Sequence, residues 1–142
     1  MKDKIEREIL VKAPIEKVWN FVNQPAWWVG DGPGPDKVEI DGLHIVADTK
    51  YGQFPVRVED SKEPHYLACR WASSFAGEEP NDDNSTLVEF QITKETEGTL
   101  VKVIESGFLK LPVSTQDRIK FYEGNVYGGE KMLEFLKESV EQ

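Results

Sequence analysis

From Lys37 to Ser106 apolar and polar residues alternate one by one in short runs closed by turns, and no other pattern in the chain restricts its fold as much. Residues 37–40 are short and β-prone. Leu43, Ile45, Ala47 and Thr49 alternate against His44, Val46 and Asp48. After a turn at Gly52, Phe54, Val56 and Val58 alternate against Gln53, Arg57 and Glu59. Leu67, Cys69 and Trp71 then oppose Tyr66, Ala68 and Arg70, and Thr86, Val88, Phe90 and Ile92 oppose Leu87, Glu89 and Gln91. Past a tight turn at Glu97-Gly98, Thr99, Val101, Val103 and Glu105 oppose Leu100, Lys102 and Ile104. A period of two is that of a strand, whose side chains point to opposite faces in turn. Short strands separated by turns predict an antiparallel meander. Clean alternation predicts a sheet with one covered face and one wet face.

The covering element is equally legible. Ile119, Tyr122, Val126, Gly129, Leu133, Leu136 and Val140 are spaced by three and four residues, the apolar stripe of a helix over 115–140. Ser114 or Thr115 is its expected N-cap, with Asp117 near the positive end of the helix dipole. Phe121, Met132 and Phe135 widen the stripe. Upstream, Ile5, Arg7, Ile9 and Val11 share one face of an opening strand, and Pro14 suits the first turn of a helix carrying Ile15, Val18, Trp19 and Val22. Pro25 ends that helix, and Ala26-Trp27-Trp28-Val29 is expected to form a second short one. The run Gly30-Asp31-Gly32-Pro33-Gly34-Pro35 cannot be regular structure. The prediction is an α+β domain: one curved antiparallel sheet, two short helices at one end, and the long helix across the concave face. A twisted sheet of six or seven strands curls, and one rod cannot fill its concave side, so a hollow is expected between them.

Composition narrows the partners. The 142 residues suit one domain, taken as 1–142. With 26 acidic and 17 basic residues the net charge is −9, which disfavours nucleic acid and anionic membrane surfaces, both of which need clustered cations. No apolar run is long enough for a bilayer span or a signal peptide. The single cysteine, Cys69, has no partner for an internal disulfide, and a cytoplasmic protein is expected.

Several segments carry a family likeness. Arg7-Glu8-Ile9-Leu10-Val11-Lys12-Ala13-Pro14-Ile15-Glu16-Lys17-Val18-Trp19 resembles the opening of the START-like helix-grip superfamily (SRPBCC). Thr86–Ile92 and Gly98–Phe108 look like its last two strands, and Gly128–Leu136 resembles its closing helix. The branch most resembled is that of the single-domain bacterial relatives of the activator of the ninety-kilodalton heat-shock chaperone's ATPase. Many members carry Gly-Trp where this chain has Gly128-Gly129, so a bulky cavity-facing ring is absent. The resemblance implies a fold and a cavity; its members include lipid carriers, hormone binders, polyketide cyclases and aromatases, and chaperone co-factors, so function has to come from the site.

The candidate residues follow. Trp28, Trp71, Phe90, Phe108, Tyr122, Tyr127 and Met132 are ligand-binding candidates, each of which has ordinary core packing as its alternative. Glu105 continues an apolar, inward alternation, so it is either a carboxylate facing the cavity or a sheet-end residue pairing Arg118 or Lys120. Gly129 interrupts the helical stripe at a conformational cost of roughly 1 kcal/mol. It either opens a notch between helix and sheet or permits close packing on Trp27 or Trp28, or a kink. Cys69 lies on an apolar face, where burial makes a thiol inert. His65 and Cys69 are four apart on a strand, roughly 13 Å, too far to share one ion. The Asp82-Asp83 loop lacks the glycine and the terminal glutamate of a calcium loop. No metal or other cofactor is expected, and no serine sits in a nucleophile elbow. The expected function is non-catalytic binding of a small apolar or amphipathic molecule. The alternatives are a chaperone co-factor or protein-interaction module, and a cyclase- or aromatase-like enzyme using Glu105 or a tyrosine.

Overall fold

The computed structural model describes residues 3–30 and 34–142; Asp31, Gly32 and Pro33, expected to be irregular, lie outside the described residues. Strand β1 (Lys4–Val11) leads into helix α1 (Ile15–Val22). Five strands of the meander follow: β2 (Lys37–Asp41), β3 (His44–Thr49), β4 (Gly52–Lys62), β5 (Tyr66–Trp71) and β6 (Thr86–Glu95). β7 (Gly98–Ser106) runs into a single 3-10 turn at Phe108–Lys110, and α2 (Thr115–Glu141) closes the chain. The strands form one antiparallel sheet in the order β1-β7-β6-β5-β4-β3-β2. The meander folds back strand on strand, and β1 completes the far edge against β7, with Ile5 opposite Glu105 and Arg7 opposite Val103.

The predicted inward set is the buried set over most of the sheet. Ile45, Ala47, Phe54, Val56, Leu67, Cys69, Val88, Phe90, Ile92, Val101 and Val103 are all buried. Thr49, Val58 and Trp71 are half-buried, and Leu43 departs furthest, 67% exposed because it sits in the turn before β3. The second short helix falls elsewhere than expected. Ala26–Val29 is a series of turns, because Ala26 adopts φ 56°, a left-handed conformation that cannot continue a right-handed helix after Pro25. Gly34, at φ 100°, is needed beside it: a Cβ there would lie 2.7 Å from the carbonyl oxygen of Trp27. Trp27 turns inward and donates its indole N–H to the Val22 carbonyl at 2.9 Å.

Ser114 caps α2 as expected, accepting the backbone N–H of Asp117. The helix is anchored at both ends and spans a gap between them. Toward its C-terminus Met132, Leu133, Leu136 and Val140 join the main core with Ile15, Val18, Trp19 and Val22 of α1. Lys137 donates to the Leu10 carbonyl, and the Glu141 carboxylate accepts the Lys12 backbone N–H. Toward its N-terminus Tyr122 and Val126 lean on a second, smaller cluster of Ile5, Phe108 and Leu111. No helix is long and apolar enough to cross a membrane among the described residues.

Candidate functional site

Between the two clusters lies a cavity of about 510 Å³, open on one side. Its aromatic floor is built by register. Phe54 of β4 and Trp71 of β5 point to the concave face, with ring centroids 5.5 Å apart. Trp28 meets Trp71 edge to face, with centroids at 5.1 Å. Val88, Val103 and Met132 continue the apolar wall, and Phe121, Gly124, Asn125, Gly128 and Gly129 of α2 form the roof.

Glu105 sits at the end of this wall, and three strands and the helix converge on it. Trp71 pairs directly with Thr86 across β5 and β6, while Glu105 pairs with Val88 across β7 and β6. Trp71, Thr86 and Glu105 therefore occupy one corner of the concave face. The Oε2 atom of Glu105 accepts three hydrogen bonds: from Thr86 Oγ1 at 2.6 Å, Trp71 Nε1 at 3.0 Å and Asn125 Nδ2 at 3.1 Å. Asn125 also donates to Ser73 Oγ at 3.1 Å. The other carboxylate oxygen, Oε1, accepts no hydrogen bond among the described residues. Burial pushes the pKa of Glu105 above the ordinary 4.5, against the opposing pull of the bonds from Thr86, Trp71 and Asn125. Glu105 does lie near the end of β7, but it pairs with neither Arg118 nor Lys120: Arg118 instead donates to the carbonyls of Leu111 and Val113.

The other polar wall residues are less fully satisfied. Arg7, two ladder positions from Glu105, reaches Glu130 of α2 at 3.1 Å through Nη2. Its Nε is buried without a partner among the described residues, and so is Ser74 Oγ; both residues line the cavity.

The cavity brings together Trp28, Trp71, Glu105, Tyr127, Gly129 and Met132 from the expected set. Three candidates lie off its wall. Phe90 faces inward but is covered by Trp27 and Trp28, at 5.8 and 6.3 Å between centroids, so it forms the layer behind the floor. Phe108 and Tyr122 pack on each other at 5.1 Å in the smaller cluster, since the 3-10 turn carries Phe108 past the end of the sheet. The Tyr122 hydroxyl donates outward to the Lys4 carbonyl at 3.1 Å, beside a separate hollow of about 280 Å³. At Gly129 and Gly124 an added Cβ would meet nothing within 4 Å, so the glycines open space and are not there for close packing.

Arg7, Ser73, Ser74, Thr86 and Asn125 were not anticipated as wall residues or Glu105 partners. Arg7 had a signal, a lone charge on the inward face of β1, the same signal that marks Glu105 on β7. Asn125 had a weaker one, three residues after Tyr122 and four before Gly129 on the helical stripe. Ser73 and Ser74 lie in a loop with no period to read. Cys69 is buried in the core, and burial pushes its thiol up to about 12, far from thiolate reactivity. His44 is bound to Glu79 and His65 to the Ile92 carbonyl. Among the described residues no group of three or more His, Cys, Asp or Glu side chains is placed to hold a metal ion.

Comparison with known proteins finds the fold in solved structures. The chain superimposes on the Aha1 dimer subunit from Colwellia psychrerythraea with a TM-score of 0.72 and 19% identity, covering 97% of this chain and 96% of that one. Protein BH1534 from Bacillus halodurans gives 0.70 and 23%, covering 96% of each chain. DynU16, a protein of the dynemicin biosynthetic locus, gives 0.63 and 20%, covering 96% of this chain but 48% of that one. No family model and no curated protein matches the sequence. The fold is the α+β helix-grip fold that these solved structures share, a curved antiparallel sheet with a long C-terminal helix across it.

Proposed function

We propose that this protein binds a small, largely apolar ring compound in the cavity beneath α2. The observation that carries the reading is the 510 Å³ hollow itself, with an aromatic floor and one convergent polar corner. Ligand sites in proteins have this size and this composition, apolar walls with a few placed polar groups. The glycines at 124 and 129 support it, because a helix that packed for stability alone would not carry two residues that each cost roughly 1 kcal/mol over empty space. The buried atoms of Arg7 and Ser74 that have no partner among the described residues support it too, since both stand on the cavity wall where a ligand could pair with them; Arg118 Nε, also without such a partner, lies off that wall. The experiment is a chemical-shift screen of two- and three-ring aromatic compounds. Binding moves the amides of residues 121–129 and the indole N–H groups of Trp28 and Trp71. A screen in which none of these resonances moves overturns the reading.

The Glu105 corner favours a second reading, a cyclase- or aromatase-type enzyme in which Oε1 handles a proton. Loss of turnover in Glu105→Gln, with binding retained, would support it. The chaperone co-factor alternative draws on the branch resemblance and on the Aha1 neighbour. Co-purification of a chaperone from native cytoplasm would support it; an empty lane counts against it.

A further inference from the structure

We infer that the ligand carries a neutral hydroxyl on its ring system and donates it to Oε1 of Glu105. This rests on the cavity reading above and names the chemistry that the cavity selects. All three donors that reach the carboxylate converge on Oε2. Trp71 and Asn125 hold it with N–H groups, so that oxygen is saturated and its orientation is fixed. Among the described residues Oε1 is left without a protein donor, on a residue that lines the cavity. A fixed acceptor at the end of an aromatic floor recognises a donor on the rim of a flat molecule lying against Trp28, Trp71 and Phe54.

The charge of that donor is set by the neighbours. Arg7 stands on the same face of the sheet, with Glu105 opposite Ile5 and Arg7 opposite Val103. The two side chains make no ion pair; Arg7 is held by Glu130. Arg7 lines the same cavity as Glu105, so a cationic donor would add a second positive charge to that wall, which like-charge repulsion disfavours. An anionic group would meet the Glu105 carboxyl. A neutral hydroxyl avoids both, and it donates to Oε1 of the ionised carboxylate, the form that the three hydrogen bonds to Oε2 favour.

Three probes that share one ring system test this: 2-naphthol, 2-methoxynaphthalene and 2-naphthylmethylammonium. Affinities are read by chemical-shift titration on the wild type and on Glu105→Gln. The wild type binds 2-naphthol roughly tenfold or more tightly than the methyl ether, the worth of one hydrogen bond to a charged or strongly polar acceptor, and binds the ammonium more weakly than the naphthol. In Glu105→Gln the carbonyl oxygen takes the place of Oε2 among its three donors, and the NH₂ turns to the cavity. The preference for the naphthol is then lost, because both probes can accept from the NH₂ and neither finds an acceptor there. A residue with a merely structural role would weaken all three probes together. Equal wild-type affinity for naphthol and ether, or a preference for the ammonium, overturns the inference while leaving the cavity reading intact. Failure of all three to bind overturns both. The wild-type ranking stands as a test by itself if the Gln variant folds poorly.

Discussion

The two halves of α2 read alike in hydropathy and behave differently in space. From Met132 to Val140 the stripe is closed: Met132, Leu133, Leu136 and Val140 are buried, and the strand and α1 beneath meet them side chain to side chain. From Ile119 to Gly129 the same period continues, yet Ile119 is 39% exposed, and glycines and an asparagine stand over a hollow. The C-terminal half therefore holds the fold, and the N-terminal half roofs a site. Period alone predicts that a helix lies on a sheet; side-chain volume along the stripe decides whether the interface is filled.

That contrast can be broken by substitutions placed in each half. The largest effect is expected in the closed half. Leu136→Ala removes a fully buried side chain from a packed core and should lower the unfolding free energy by about 2–5 kcal/mol, measured by denaturant titration. A loss under about 1 kcal/mol would mean that the closed half is no better packed than the open one.

A pH dependence comes next. Burial raises the pKa of Glu105 in the folded chain, so the folded state still holds this proton at pH values where the unfolded state, with the ordinary 4.5, has released it. Its contribution is complete below pH 4.5 and is lost as pH rises through the folded value. Glu105→Gln cannot titrate there. The stability of the variant relative to wild type should therefore rise with pH from about 4.5 upward, measured as the denaturant midpoint across a pH series. A difference that stays flat would place Glu105 in a solvated setting.

The smallest effect has the opposite sign to the first. Gly129→Ala should stabilise by up to about 1 kcal/mol, because alanine lowers the conformational cost of the helix and its Cβ meets nothing. Thermal or chemical unfolding checks it, and a destabilisation would reveal a close contact at the roof.

The alternation of β3 to β7 and the stripe of α2 made the sheet, its covering helix and the hollow between them legible before any coordinates. Glu105 was visible for the same reason, as a carboxylate in an apolar alternation. Its partners were not, because Thr86 and Trp71 reach it through strand register and Asn125 through the rotation of α2, and both are long-range properties. Phe90, Phe108 and Tyr122 share the lining pattern, but what lies in front of each ring depends on Trp27, Trp28 and the turn after β7. A one-dimensional pattern gives the face of a side chain and not the layer it occupies. The turns at Ala26–Val29 were misread as a helix because four apolar residues after a proline carry no mark of the left-handed step at Ala26.

The central claim is that a guest lies beneath the open half of α2. Gly129→Trp places an indole where the helix faces the hollow, at a position with room for a side chain. Titration of 2-naphthol against this variant should show affinity reduced at least tenfold, with the amides of Leu133–Val140 at their wild-type shifts. Unchanged affinity in a variant whose fold is intact would contradict the account and place the binding surface elsewhere.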